Sequence, residues 1–380
     1  MIYFDNAATS WPKPQIVADA VLLAMRQYGA NPGRSGHRDS LQTALKIYEV
    51  REKAAAFFGA ESPENVIFTQ NCTHALNLVI KGLISVGDHV VMSELEHNSV
   101  LRPVHALAEQ GICSYSIAAV SENEEETIAE FARLILPSTR LLICTHGSNV
   151  WGMQPPIKRL AQLAHEKGVL FMVDAAQAAG AVPINVEKCG IDFLCTAGHK
   201  GLYGPSGTGL LITDKGHLLR PLMEGGTGSH SMELSQPMDM PERFESGTLN
   251  TMGIIGLGAG LDYIKSKGLP NIYKHEMSIA NMIYGRLKKM PLIELYGNFE
   301  STTQLPVLSF NMRGLHSEEL AEKLSNKGFA LRGGLHCAPF AHRKMGTLER
   351  GAARISLGIF NTTEQAASLC NEIKRIAARL

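Results

Sequence analysis

The sequence predicts an α/β fold with a mostly parallel sheet covered by helices on both faces, joined to a second, smaller α+β domain. Three observations predict it. Apolar runs of strand length alternate with amphipathic helical stretches through the central part of the chain. Those runs are almost continuously apolar, the mark of strands buried on both faces. From about residue 256 the texture changes to two long helical patterns, then to strands separated by a helix.

Taken in order, VIFTQ (66–70) precedes the helical pattern HALNLVIKGL, and HVVMS (89–93) precedes a helix near SVLRPVHALAEQG. RLLICTHG (140–147) precedes IKRLAQLAHEKG, and VLFMVDAAQ (169–177) leads after a short connection to FLCTAGHK. In such a sheet the functional groups belong at strand ends. Beyond residue 256, GIIGLGAGLDYIKSKG and the 273–290 stretch read as helices, and LPVLSFNMRG, FALRGG and ARISLGIF as strands. HSEELAEKLSNKG is the helix between them, and NTTEQAASLCNEIKRIAARL closes the chain as a helix. There is no internal repeat and no low-complexity linker, so the domains are expected to pack closely with a cleft between them.

At 380 residues the chain is too long for one simple core. Lysine plus arginine equals aspartate plus glutamate at 36 each, so no charge excess points to nucleic acid or an acidic membrane as partner. A small-molecule substrate is the default. No apolar run approaches the roughly 20 residues that span a bilayer, and MIYFDNAATS lacks the pattern of a secretory signal, so a cytoplasmic location is expected. The seven cysteines (Cys72, Cys113, Cys144, Cys189, Cys195, Cys337, Cys370) are scattered, odd in number and form no CxxC pair. That argues against a disulfide framework and a structural zinc site, and no metal is expected. Cys144 and Cys195, inside apolar runs, read as small buried hydrophobes.

Residues 196–207, TAGHKGLYGPSG, place Lys200 after the apolar run IDFLC and ahead of a glycine-rich stretch. Two readings stand for that lysine alone: a working group at a strand end, or a surface lysine snorkelling beside a turn. VDAAQ places Asp174 26 residues earlier, again at the end of an apolar run. A lysine and an aspartate so placed suit pyridoxal 5′-phosphate (PLP). The amine forms a Schiff base with the aldehyde, and the carboxylate keeps the pyridine nitrogen protonated so that the ring accepts electrons.

Nine segments then resemble, in order, the motifs of PLP-dependent cysteine desulfurases of the class V aminotransferase family: YFDNAATS (3–10), FTQNCTHALN (68–77), ELEHNSV (94–100), THGSNVWG (145–152), VDAAQAAG (173–180), TAGHKGLYGPSG, RFESGTLNT (243–251), LRGGLHCAPF (331–340) and ARISLGIFNT (353–362). The resemblance implies a PLP-dependent transferase of fold type I. Its large PLP-binding domain, residues 15–255, would hold a mostly parallel seven-stranded sheet, and its small C-terminal domain would span 256–380. Residues 1–14 would form an N-terminal segment packing with the small domain.

Carried over residue by residue, the family pattern implies that Lys200 binds the cofactor and shuttles the substrate Cα proton. Asp174 would pair with the pyridinium nitrogen, Gln177 with the phenolic oxygen and Asn149 beside it. His97 would stack on the ring and relay protons. Cys72 and Thr73, where CTHALN turns into a helix whose N-terminus favours an anion, would hold the phosphate together with His199. Thr248 in ESGTLNT matches a residue donated to the neighbouring subunit's phosphate, which implies a homodimer. Three departures stand out: Ala197 replaces the usual hydroxyl residue, so that Thr196 takes over that contact or it is lost. Gly201 is an extra glycine after the lysine, and His74 replaces an acidic residue.

Cys337 follows a Gly-Gly pair and His336 in what reads as a loop, so it is expected to be accessible, with His336 and nearby basic residues lowering its pKa. It aligns with the family's catalytic cysteine. The implied reaction converts L-cysteine to L-alanine and leaves the sulfur on Cys337 as a persulfide. Arg354 would pair with the substrate carboxylate through a bidentate fork, and Asn6 and Ala7 would line the same pocket. Only 17 residues separate Cys337 from Arg354, a short loop as in the SufS-like, group II branch, which implies a dedicated protein acceptor for the sulfur. On the same scaffold, a selenocysteine lyase acting on L-selenocysteine, a cysteine sulfinate desulfinase and an aminotransferase remain alternatives. A non-catalytic sulfur-relay scaffold has no physical use for Lys200, Asp174, His97, Cys337 and Arg354 together.

Overall fold

The computed structural model of the chain describes residues 1–32, 36–299 and 303–380. Its strands are β1 (Ile2–Tyr3), β2 (Val66–Thr69), β3 (Asp88–Ser93), β4 (Cys113–Ala118), β5 (Thr139–Thr145), β6 (Leu170–Asp174), β7 (Phe193–Ala197), β8 (Gly209–Ile212), β9 (Ile293–Tyr296), β10 (Val307–Met312), β11 (Phe329–Ala330) and β12 (Ala353–Ser356). Seven of them form one sheet in the order β2-β8-β7-β6-β5-β3-β4. Neighbours from β7 to β4 pair in parallel, and β8 runs antiparallel to both β7 and β2.

The continuous apolar runs have a direct cause. Successive side chains of a strand point to opposite faces, and here each face has its own core. β6 sends Phe171 and Val173 into one core and Met172 into the other, and β5 divides Leu142 and Cys144 from Leu141 and Ile143 in the same way. Helices cover both faces, so every position must be apolar. The expected parallel, doubly covered sheet is present. Two of its strands are not legible in the sequence: β4, whose CSYSIA mixes polar residues as an edge strand does, and the four-residue β8 behind a glycine-rich loop.

A third core gathers Leu308, Phe310 and Met312 of β10, Ile355 of β12, and Leu369 and Ile373 of the closing helix Thr363–Ala377. β9, β10 and β12 form its antiparallel sheet. β1 pairs with β11 in parallel, and Phe4 is fully buried in this third core, which ties the first residues to the last third of the chain. The expected boundary at residue 256 falls inside the helix Thr251–Lys267, whose Ile254, Leu257 and Leu261 pack in the first core with Val50 and Phe58. The chain passes from the large sheet to the third core along the next helix, Leu269–Leu287, which puts Ile272 in the first core and Ile279, Ile283 and Leu287 in the third.

Candidate active site

Parallel strands deliver their C-terminal ends to one edge of the sheet. There, a cavity of about 180 Å³ is lined by residues that follow or end β3 (His97, Ser99), β5 (Gly147, Asn149), β6 (Asp174, Gln177) and β7 (Ala197, His199, Lys200), together with Cys72 and Thr73. Lys200 is walled in by protein yet keeps surface on the cavity, and burial draws its ammonium pKa down against the opposing pull of Asp174. The bland reading of a snorkelling surface lysine therefore fails. Asp174 is 4% exposed, and its Oδ1 accepts from the Ala176 N–H (2.9 Å) and the Cys72 thiol (3.5 Å). Buried and with a carboxylate beside it, the Cys72 thiol is raised well above the usual cysteine range and stays protonated.

The Lys200 loop is held from behind by the N-terminal segment. The carbonyl of His199 accepts from the Thr9 hydroxyl (3.0 Å), the Ser10 N–H (3.2 Å), the Ser10 hydroxyl (3.3 Å) and the Lys13 ammonium (2.6 Å). Ser10 also donates to the Lys200 carbonyl at 3.0 Å. Burial brings Lys13 down to about 8. Gly201 is no accident of sequence: a Cβ there would lie 2.4 Å from the Ala179 carbonyl oxygen, so the loop can approach only without a side chain.

The helix Cys72–Leu83 points its N-terminus at the cavity, capped by Asn71, and its first N–H groups have no intrahelical acceptors. The Thr73 hydroxyl lies 2.7 Å from that of Ser99, which in turn contacts His97 Nδ1 at 2.8 Å. Nδ1 also accepts the Ser99 N–H at 3.0 Å, so the ring's proton sits on Nε2, and burial keeps the imidazole below its usual pKa. His199 lines the same cavity with a buried, unpartnered Nδ1 and is held at about 4 by burial. An orphaned polar nitrogen, a free helix N-terminus and a hydroxyl form an anion cradle, while Lys200 and Asp174 offer an amine and a carboxylate. These residues fit PLP. Thr196 does not join them. Alternation along β7 turns Ala197 to the cavity and Thr196 to the other face, where its hydroxyl reaches the Ala175 carbonyl (3.4 Å) and is fully buried, so it offers no phosphate contact there.

Thr248 lies outside this cavity. It lines a separate cleft with Thr69, His74 and Asn250, so within one chain it makes no contribution to the site. Asn6 and Ala7 line a smaller cavity of about 50 Å³ on the other side of Lys200 and Gln177, together with Glu276 and Ser356. The Gln177 amide donates to the Ala7 carbonyl at 3.0 Å. Arg354, 2% exposed, donates to Asp5 Oδ1 (2.6 Å) and to the Asn149 carbonyl (2.9 Å), and its Nε–H is buried without a partner.

Cys337 is the one exposed cysteine among the described residues, whereas Cys144 and Cys195 are fully buried. It sits on a tight turn closed by the Ala338 N–H to the Leu335 carbonyl (3.0 Å), with both central residues at positive φ: His336 at 49° and Cys337 at 58°. Two such residues mark a type I′ geometry that suits Asn-Gly, and each non-glycine residue held there costs roughly 1–2 kcal/mol. His336 does not activate the thiol as expected: it is buried, donates Nε2–H to the Ala352 carbonyl (3.0 Å) and is pushed to about 2, so it is neutral and brings no positive charge.

The sequence reading missed Asp5, which holds Arg354, and the Thr9, Ser10 and Lys13 clamp, although FDNAAT and its neighbours were in view. It also missed Ser99 and Glu96. Glu96 is fully buried between the Ser93 hydroxyl and the Thr145 N–H, and desolvation raises it to about 8. Only its position beside His97 hinted at that.

The aminotransferase class-V family model matches residues 2–369. This chain belongs to that family. A protein of Methanothermobacter thermautotrophicus named "Probable cysteine desulfurase" is 35% identical, covering 99% of this chain and 94% of the other. Among solved structures, an apo cysteine desulfurase of Thermococcus onnurineus superimposes with a TM-score of 0.91 at 33% identity over 100% of this chain and 95% of the other. The cysteine desulfurase CsdA of Escherichia coli gives 0.89 at 28% identity, with the same coverage. Among the described residues, no helix of this class-V chain is long and apolar enough to cross a membrane, and no three metal-ligating side chains cluster.

Proposed function

We propose that this chain is a PLP-dependent cysteine desulfurase that takes sulfur from L-cysteine onto Cys337 and releases L-alanine. The observation that carries the reading is the exposed Cys337 turn, tied by Asn149 to a cavity containing Lys200 and Asp174. A binding scaffold needs neither a buried amine beside a carboxylate nor a thiol in a costly backbone conformation.

Lys200, Asp174, Gln177 and His97 would hold the ring of the cofactor, and Thr73, His199 and the first turn of the Cys72–Leu83 helix its phosphate. Cys72 shares that turn but keeps its thiol on Asp174. When bound, PLP supplies an electron sink for the substrate's Cα. Arg354 would take the substrate carboxylate as a charge-assisted pair, its spare Nε–H and an Nη freed from Asp5 forming the fork. Lys200, favoured in its neutral form by burial, takes the Cα proton and later returns one. Cys337 attacks the substrate sulfur. The substrate's Cβ–S bond breaks with its electron pair staying on carbon, a Cys337 S–S bond forms, and a proton from the Cys337 thiol balances L-alanine and the persulfide.

The exposed persulfide suits a protein thiol as sulfur acceptor. We further read the chain as a homodimer, in which Thr248 of one copy reaches the phosphate site of the other. The exposed Met232, Leu234 and Met238, on the same stretch of chain, support a covering second copy. The test is purified, PLP-loaded protein with L-cysteine and a reductant: alanine formed in step with sulfide, and sulfur on Cys337 before reduction, are the expected result. Activity only with L-selenocysteine or cysteine sulfinate would replace this reading.

A further inference from the structure

The Cys337 turn has no strand to hold it, yet both of its central carbonyls are fixed. The Asn98 backbone N–H donates to the Cys337 carbonyl at 2.7 Å, and the Asn149 side-chain amide donates to the His336 carbonyl at 2.7 Å. These donors come from two different elements of the site. Asn98 is the first residue of the helix Asn98–Glu109, directly after His97, and Asn149 follows β5 and receives Arg354 on its own carbonyl. An N–H in the first turn of a helix has no acceptor within the helix, so this one is free to serve the turn.

We propose that Asn98 and Asn149 form a two-point carbonyl clamp that sets the register of Cys337 against the substrate sulfur, making Asn98 a positioning residue that acts through its main chain. The inference rests on Cys337 being the nucleophile. The clamp holds two residues in the left-handed region that neither prefers, and it ties the nucleophile to the residue after His97 on one side and to the carboxylate-binding Arg354 on the other. A thiol held this way does not swing out to deliver sulfur, so the acceptor thiol must come to the turn.

Asn98 offers an unusually clean variant. Proline is favoured at the first helical position, and the preceding His97, at φ −71° and ψ 155°, already has the extended conformation that a following proline requires. Asn98→Pro therefore deletes one N–H and keeps the helix, while Asn98→Ala keeps the N–H. In the PLP-loaded enzyme, Asn98→Pro is expected to lower kcat for alanine release on the order of tenfold to a hundredfold with KM for L-cysteine little changed, as displacement of a reacting atom does. Exchange of the α-proton of L-alanine with solvent deuterium, which needs Lys200 and not Cys337, should persist, and Asn98→Ala should behave as the parent does. In the parent, the Asn98 amide should exchange with deuterium as slowly as hydrogen-bonded helical amides, a readout that survives if the proline variant fails to fold.

Parent-like kcat in Asn98→Pro, or a fast-exchanging Asn98 amide, would overturn the clamp. If instead Cys337→Ala releases alanine as the parent does, the underlying assignment of the nucleophile fails, whatever Asn98→Pro shows.

Discussion

The two side chains that would react, Lys200 and Cys337, are held in opposite ways. Lys200 follows an interior strand of the seven-stranded sheet, on a loop whose carbonyls gather hydrogen bonds from Thr9, Ser10 and Lys13. Cys337 sits on an exposed turn with two residues at positive φ and carbonyls tied to Asn98 and Asn149. The difference follows from the task. An amine that must lose its proton gains from burial, which disfavours its charged form. A thiol that must hand sulfur on has to stay open to a partner and so cannot share the core's packing. Its position is bought with backbone strain and two hydrogen bonds instead.

The largest effect is expected at Lys200. Lys200→Ala removes the proposed proton shuttle and should lower alanine release by about 10³-fold or more while the fold persists, read by turnover and by circular dichroism. Retained turnover would mean that burial of this amine serves packing alone. Next is Arg354→Lys. A lysine cannot reproduce the fork to a carboxylate and leaves Asp5 and the Asn149 carbonyl short of donors, so kcat/KM for L-cysteine should fall on the order of tenfold to a hundredfold, mainly through KM.

Lys13→Met sharpens the contrast at smaller scale. The His199 carbonyl keeps three other donors, so a loss of about 1 kcal/mol, or roughly fivefold in turnover, is expected. An effect as large as that of Lys200→Ala would show that the clamp is catalytic rather than supporting.

The smallest effect is on stability against pH. His146, His199 and His342 are pressed to about 4 and His336 to about 2, so below about pH 6.5 the unfolded chain binds protons that the folded chain refuses, and stability falls as pH falls. Glu96 and Glu276, raised to about 8 by burial, act in the other direction: between about 4.5 and 8 the folded chain keeps protons that the unfolded chain loses, and stability falls as pH rises. His74, His89 and His97, also lowered by burial, add to the histidine side, so the melting temperature of the PLP-free chain should peak between about pH 6.5 and 8. A monotonic profile from pH 5 to 8 would contradict this balance.

What was legible in the sequence follows the same divide. The central strands were readable because burial on both faces leaves no polar position, and Lys200 and Asp174 were readable because strand ends in such a sheet are fixed places. β4 and β8 were not: one is a half-polar edge, the other four residues long. Around Cys337, the motif showed the cysteine but not its support. Asn98 acts through a backbone N–H that no side chain announces, and His336, expected to charge the thiol, is kept neutral by burial that only the packed chain reveals. Thr196 failed for a simpler reason: on a strand, one residue's displacement turns a hydroxyl to the opposite face.

Whether Cys337 takes the sulfur is decided by a single experiment. PLP-loaded parent and Cys337→Ala protein would each receive L-cysteine with a reductant, alanine would be quantified, and the unreduced parent would be digested and weighed by mass spectrometry. Alanine is expected from the parent, almost none from the variant, and one added sulfur on the peptide carrying Cys337. Equal alanine from both proteins, with no sulfur on that peptide, would contradict this role of Cys337.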